Sequence, residues 1–266
     1  MDTLFSLIMI CAALGAVVGV LAGLLGIGGG LLIVPSLMYL LPHYIVLPDE
    51  VLMPMAIGTS LSTIILTAFS SAWAHYHMGQ VRREIMLWVS LGIAFGALLG
   101  STVATNIPAA LLKGGFGFVV LLIAAQMAFY AHKRSASDYN SAKLSVIGTV
   151  TGTISSIMGI GGGAILVPAL VWYQVSITAA IGCAALGGFV IAIFGSLGYI
   201  VHGLGHPDLP AWSLGYIYLP ATLGIVSTSI FTARLGVKLA YKLPTKKLKK
   251  FFAVFLFVIG IRMILG

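Results

Sequence analysis

The chain has 266 residues, of which 60% are hydrophobic and 8% charged, with a formal net charge of +8. A mean hydropathy of +1.12 excludes a soluble globular domain and points to helices that cross a bilayer. The apolar runs are continuous and do not alternate residue by residue, which excludes a transmembrane barrel.

Ten apolar segments are predicted in chain order. The first, 4–25, follows Met1-Asp2-Thr3; with no basic n-region, it reads as a retained span and not a signal peptide. The others are 31–41, 51–75, 85–105, 109–131, 144–158, 162–174, 178–201, 211–233 and 251–265. A bilayer needs about 20 residues at 1.5 Å rise, so the second, sixth and seventh are short and suit half-spans or broken helices.

Two of the breaks are copies of one another. Residues 23–37 read GLLGIGGGLLIVPSL and residues 156–170 read SIMGIGGGAILVPAL. Gly26, Gly28, Gly29, Gly30 and Pro35 recur as Gly159, Gly161, Gly162, Gly163 and Pro168. Further blocks recur: Ala56-Ile57-Gly58 as Ala180-Ile181-Gly182, and Gly100…Pro108 as Gly236…Pro244. Each half then holds five segments, an odd number, so the second copy must be inverted. The expected fold is an all-α polytopic membrane protein of two inverted five-segment repeats. Residues 1–131 form the first repeat, 132–143 a charged cytoplasmic linker, and 144–266 the second.

Charge sets the expected orientation. All of the 14 Lys and Arg residues except Lys113 and Arg262 fall in the loops near 76–84, 132–143 and 234–250. By the positive-inside rule those loops are cytoplasmic and both termini face outward from the cell inner membrane. The first glycine cluster is then expected toward the inside end of its segment and the second toward the outside. The basic stretch RLGVKLAYKLPTKKLKK, 234–250, reads as a loop on lipid headgroups and not as a nucleic-acid site.

Consecutive glycines at membrane depth require the freed backbone groups to be satisfied by protein or a water-filled cavity. The run after each cluster starts a fresh helix, whose first N–H groups lack intrahelical partners and carry positive partial charge. Two such starts facing each other suit an anion. Gly26, Gly28, Gly29, Gly30, Gly159, Gly161, Gly162 and Gly163 are therefore candidate substrate contacts, with Thr59 and Ser60 as hydroxyl donors. The alternative for such hydroxyls is a bond to a carbonyl one turn back. Gly15, Gly19, Gly96 and Gly100, spaced in fours, read instead as close helix crossings.

None of the six carboxylates falls in a predicted span, which disfavours a carboxylate relay and suits an anionic substrate. His75, His77 and Arg82 lie where the third span ends, placed to titrate or to steer an anion from the cytoplasm. Cys11 and Cys183 fall in apolar runs and suggest neither a disulfide nor a metal site. No catalytic motif, cofactor fingerprint or metal spacing is present.

The paired glycine motifs, AIGTSL, HYHMGQV and the G-x7-P closings resemble the sulfite exporter TauE/SafE family, also grouped with toluenesulfonate uptake permeases. The resemblance covers nearly the whole chain. It implies a permease for sulfur-containing oxyanions such as sulfite, thiosulfate or sulfonates, with the glycine signature at Gly26, Gly28–Gly30 and Gly159, Gly161–Gly163. Cys183 and Ala184 stand where the first half has Thr59 and Ser60, so Cys183 joins the candidate substrate contacts and an asymmetric site is expected, with the first half supplying more polar contacts. The expected function is transport by alternating access. A passive anion channel or a non-transporting anchor subunit are the alternatives, and an exposed small-residue face allows a homodimer.

Overall fold

A computed structural model describes residues 2–25, 28–129, 140–173, 175–240 and 245–265. Gly26 and most of the 132–143 linker lie outside the described residues. Ten helices follow in order: α1 (Asp2–Leu25), α2 (Gly30–Tyr44), α3 (Asp49–His77), α4 (Arg83–Asn106), α5 (Ala109–Phe129), α6 (Ser141–Met158), α7 (Gly163–Trp172), α8 (Ile177–Gly203), α9 (Leu219–Ala240) and α10 (Thr245–Leu265). By length and composition α1, α3, α4, α5 and α8 can cross a bilayer, while α2, α7, α9 and α10 carry shorter apolar stretches. The molecule is an all-α, multi-pass membrane protein.

Local chemistry sets several helix starts. Asn140 caps α6 by accepting the Lys143 N–H at 2.8 Å, and Ser176 caps α8 by accepting from Ala179. Asp49 and Glu50 occupy the first turn of α3, where negative charge meets the positive helix end. The ninth predicted segment is shorter than expected. Residues 211–218 are not helical; Ser213–Leu214 and Ile217–Tyr218 pair as an antiparallel hairpin, β1–β2, and α9 begins only at Leu219. Backbone with positive φ explains the change, since Trp212 and Gly215 sit at φ 68° and 55°, outside any right-handed helix.

Helix pairing crosses between the two halves. Gly15 packs on Ile225 and Thr228, and Gly19 on Ser229 and Thr232, so α1 and α9 run parallel in close contact. Gly92, Gly96 and Gly100 meet Ser145, Thr149 and Thr153 in turn, so α4 and α6 do the same. Gly15, Gly19, Gly96 and Gly100 thus let backbones approach, as small residues do between membrane helices. The central pair α3–α8 is antiparallel: Gly58 lies against Tyr199, Gly195 against Leu61, and the Phe69 and Phe189 rings are 5.4 Å apart. The α5–α10 pair is also antiparallel, with Gly117 against Ile264 and Gly260 against Leu121. Exchanging α1–α5 for α6–α10 maps each of these four pairs onto another pair or onto itself.

Candidate functional site

Glycine residues end α6 and begin α2 and α7. Gly29 and Gly162, at φ 74° and 69°, are the residues immediately before α2 and α7, and Gly159, at φ 66°, closes α6. A side chain at any of the three would be strained in the left-handed region, at about 1–2 kcal/mol. Gly29 O accepts from Leu32 and Ile33, and Gly162 O from Ile165 and Leu166, so the two helix starts are built alike. Pro35 and Pro168 follow inside the helices, each removing one further backbone donor.

The two breaks meet. A methyl group built on Gly28 would sit 3.3 Å from Gly161 Cα, and one on Gly30 would collide with the Gly159 carbonyl. Around them stand Ile57 and Ile64 of α3, and Gly188 and Ile191 of α8, all from the middle of those helices. The breaks lie at the ends of α1 and α6, and they are held back to back beside the central pair, because only glycine backbones can approach so closely there. Gly29, Gly30, Gly159, Gly161, Gly162 and Gly163 are buried and Gly28 is half-buried.

Thr59 and Ser60 are fully buried beside this contact, and neither bonds the preceding turn of its own helix. Ser60 Oγ donates to Gly159 O at 2.9 Å, which ties α3 to the second break. Thr59 Oγ1 accepts the Tyr218 N–H at 3.0 Å, which ties α3 to the β-hairpin. Their neighbours Ser62 and Thr63 do bond backward, to Thr59 O and Ser60 O.

His75, His77 and Arg82 gather at one end of α3, eleven or more residues beyond Ile64, or about 16 Å along the axis. His75 Nδ1 lies 2.6 Å from Gln80 Oε1, and the exposed His77 stacks edge-on against Trp73. Cys183 is fully buried, with the Arg82 backbone amide directed at its thiol and the neighbouring Gly182 packed against Gln80. Cys183 thus receives the amide of a connecting segment on α8, as Thr59 does on α3.

Three residues were missed in the sequence. Ser155 and Ser156, on the last turn of α6, and Ser196 on α8 are buried with no hydrogen-bond partner for their hydroxyls among the described residues. Tyr199, also fully buried, donates its hydroxyl to Ser156 O at 3.2 Å. The available signal was the pair Ser155-Ser156, two residues before GIGGG. Among the described residues, no cluster of His, Cys, Asp and Glu is arranged to hold a metal ion.

The sulfite exporter TauE/SafE family model matches residues 11–263. The chain belongs to that family. It is 39% identical to a probable membrane transporter protein of Haemophilus influenzae, over 98% of this chain and all of that one. It is 29% identical to a probable membrane transporter protein of Methanocaldococcus jannaschii, over 94% of this chain and 93% of that one. A third relative, the probable membrane transporter protein YunE of Bacillus subtilis, is 26% identical over 96% of this chain and 97% of its own length. No solved structure matches. The chain is a membrane transporter; family and relatives indicate transport and not catalysis.

Proposed function

We propose that this transporter carries a small sulfur-containing oxyanion, such as sulfite, thiosulfate or an organosulfonate, across the cell inner membrane by alternating access. The observation that carries this reading is the meeting of the two glycine breaks at mid-length of α3 and α8. Broken helices in corresponding places of two halves are where carriers bind substrate. The N-terminal ends of α2 and α7 supply the positive partial charge an oxyanion requires, with the first N–H of α7, that of Gly163, donating to Gly161 O at 2.8 Å. Gly26, in the same signature, is assigned to this site with Gly28–Gly30 and Gly159, Gly161–Gly163. Ser60 and Thr59, with the unpartnered hydroxyls of Ser155 and Ser156, add donors once the breaks part.

The two halves, 1–131 and 144–266, act as inverted repeats joined by the 132–143 linker, and both termini face outward, as the basic loops require. His75 and Arg82 mark the cytoplasmic mouth, with His77 at its rim. A continuous channel is the weaker reading, because both glycine clusters are packed into the protein between α3 and α8. Anionic headgroups beside 234–250 and a homodimer are further partners of this reading.

The test is the thermal stability of the detergent-purified protein with sulfite, thiosulfate, sulfate, a sulfonate and chloride at matched ionic strength. A ligand at 100 times its Kd should add about 2.7 kcal/mol. Selective stabilisation by a sulfur oxyanion, lost in Gly30→Ala, is the expected result. No selectivity among the anions overturns the assignment.

A further inference from the structure

We infer that residues 78–82 and the hairpin segment 212–218 are a matched pair of gates, each closing one end of the α3–α8 pair by seating on the same glycine of the repeat. The inference rests on the transport reading above and says which parts move. The block Ala56-Ile57-Gly58 of α3 recurs as Ala180-Ile181-Gly182 of α8. A methyl group on Gly58 would lie 2.7 Å from the Tyr216 carbonyl oxygen and 3.1 Å from Tyr199 Cβ. On Gly182 it would lie 2.7 Å from the Gln80 carbonyl oxygen and 3.2 Å from Gln80 Cβ. Equivalent glycines thus receive a connecting segment at opposite ends of an antiparallel pair. The segment that leaves α3 seats on α8, and the segment that leaves α8 seats on α3.

Each gate is held by a few polar contacts and turns on residues with positive φ. The hairpin gate uses Tyr218 N–H to Thr59 Oγ1 at 3.0 Å and Tyr216 N–H to Tyr199 O at 3.1 Å. Its backbone turns at Gly205, Trp212 and Gly215. Trp212 is the sole non-glycine residue at positive φ among the described residues, and such outliers cluster where a segment must switch. The opposite gate turns at Gly79. It is held by Gln80 N–H to His75 O at 3.1 Å, by the His75–Gln80 side-chain contact, and by the Arg82 amide beside Cys183.

The two gates differ in weight. The hairpin buries Tyr216, Ile217 and Tyr218 almost completely, whereas Met78 is exposed and Gln80 and Val81 are only half-buried. Apolar burial scales with area removed from water, so the 78–82 gate opens first. Cys183 lies directly beneath it and is a native reporter of that opening.

With two cysteines in the chain, Cys11→Ser leaves Cys183 as the single thiol. The rate of its labelling by a membrane-impermeant maleimide, in purified protein without added anion, reads the gate. In this background Gly182→Ala, which wedges the 78–82 gate, should raise the rate about tenfold. Gly58→Ala, which wedges the hairpin gate, should leave it unchanged or lower it. His75→Ala removes one latch without adding bulk and should raise it about threefold, so the assignment stays testable should Gly182→Ala not fold. Protection of Cys183 in Gly182→Ala or His75→Ala protein of native elution profile overturns the proposal. So does an equal rise in Gly182→Ala and Gly58→Ala, which would mean general loosening. Because no anion is present, a failed sulfur-anion panel with responsive labelling would reject the substrate and keep the gates. The reverse pair of results would reject the gates alone.

Discussion

The α3 and α8 helices cross each other at the centre of the molecule and carry equivalent glycines, yet they hold the two breaks unequally. On α3, Ser60 donates to the Gly159 carbonyl of the second break, and Thr59 receives the hairpin amide. On α8 the equivalent positions are Cys183 and Ala184, and alanine has nothing to donate. The second break is therefore tethered to its neighbour by a side-chain hydrogen bond that Ala184 cannot reproduce for the first. Backbone architecture can be symmetric while the forces that hold it are not. The second break is therefore the harder of the two to separate from the central pair.

Removing the close approach itself should break the comparison outright. Gly30→Ala places a methyl group on the Gly159 carbonyl at a residue that already has helical geometry, so the effect is steric. Overpacking costs about 1–3 kcal/mol, and both breaks must shift to accommodate it. The expected outcome is a protein that inserts but loses anion-dependent stabilisation, checked by thermal unfolding with and without ligand. Retained stabilisation would show that the contact between the breaks is dispensable for binding.

Ser60→Ala sharpens the comparison by making α3 resemble α8. It deletes a buried hydrogen bond, worth about 1 kcal/mol net and somewhat more if the Gly159 carbonyl stays unsatisfied. Thermal stability should fall by that amount, and faster backbone amide exchange should appear at 159–163 before it appears at 28–33. A uniform change across both breaks would argue that Ser60 is not a specific tether. The hydrogen bond accepted by Thr59 offers a smaller, separate effect. Thr59→Val should release the Tyr218 amide, speeding exchange at 216–218 while leaving 159–163 unchanged.

The ten-segment plan was legible because apolar runs longer than 10 residues are long-range signals that survive without tertiary detail. The breaks at GIGGG were legible for a related reason: consecutive glycines cost about 1 kcal/mol each in a helix interior, and their repetition ruled out accident. What could not be read was where the two breaks sit relative to one another. Their meeting depends on the crossing of α3 and α8 near Ile64 and Gly188, which no local pattern encodes. The hairpin at 213–218 was hidden for the opposite reason, since SLGYIY is apolar enough to pass for the start of a span. Its turn is set by single residues, Trp212 and Gly215, whose positive φ is not a property of composition. Cys183 holds the place of Thr59 in the repeat, and its position beside the Arg82 backbone beneath the 78–82 segment is set by tertiary packing that no local pattern shows.

The reciprocal change tests whether the asymmetry is built from one side chain or spread through the packing. Ala184→Ser installs a hydroxyl at the position equivalent to Ser60, on a residue that is 3% exposed. A new buried hydroxyl without a partner costs about 1–3 kcal/mol, whereas a partnered one is close to neutral. If the first break presents an acceptor as Gly159 does, Ala184→Ser should be nearly silent in thermal stability. It should also restore part of what Ser60→Ala removes in the double variant, because the two tethers would then act on the same separation. Loss of stability equal to the sum of the single changes would show instead that the first break has no equivalent acceptor. In that case the inequality between α3 and α8 would lie in the backbone itself, and exchanging side chains could not equalise the two halves.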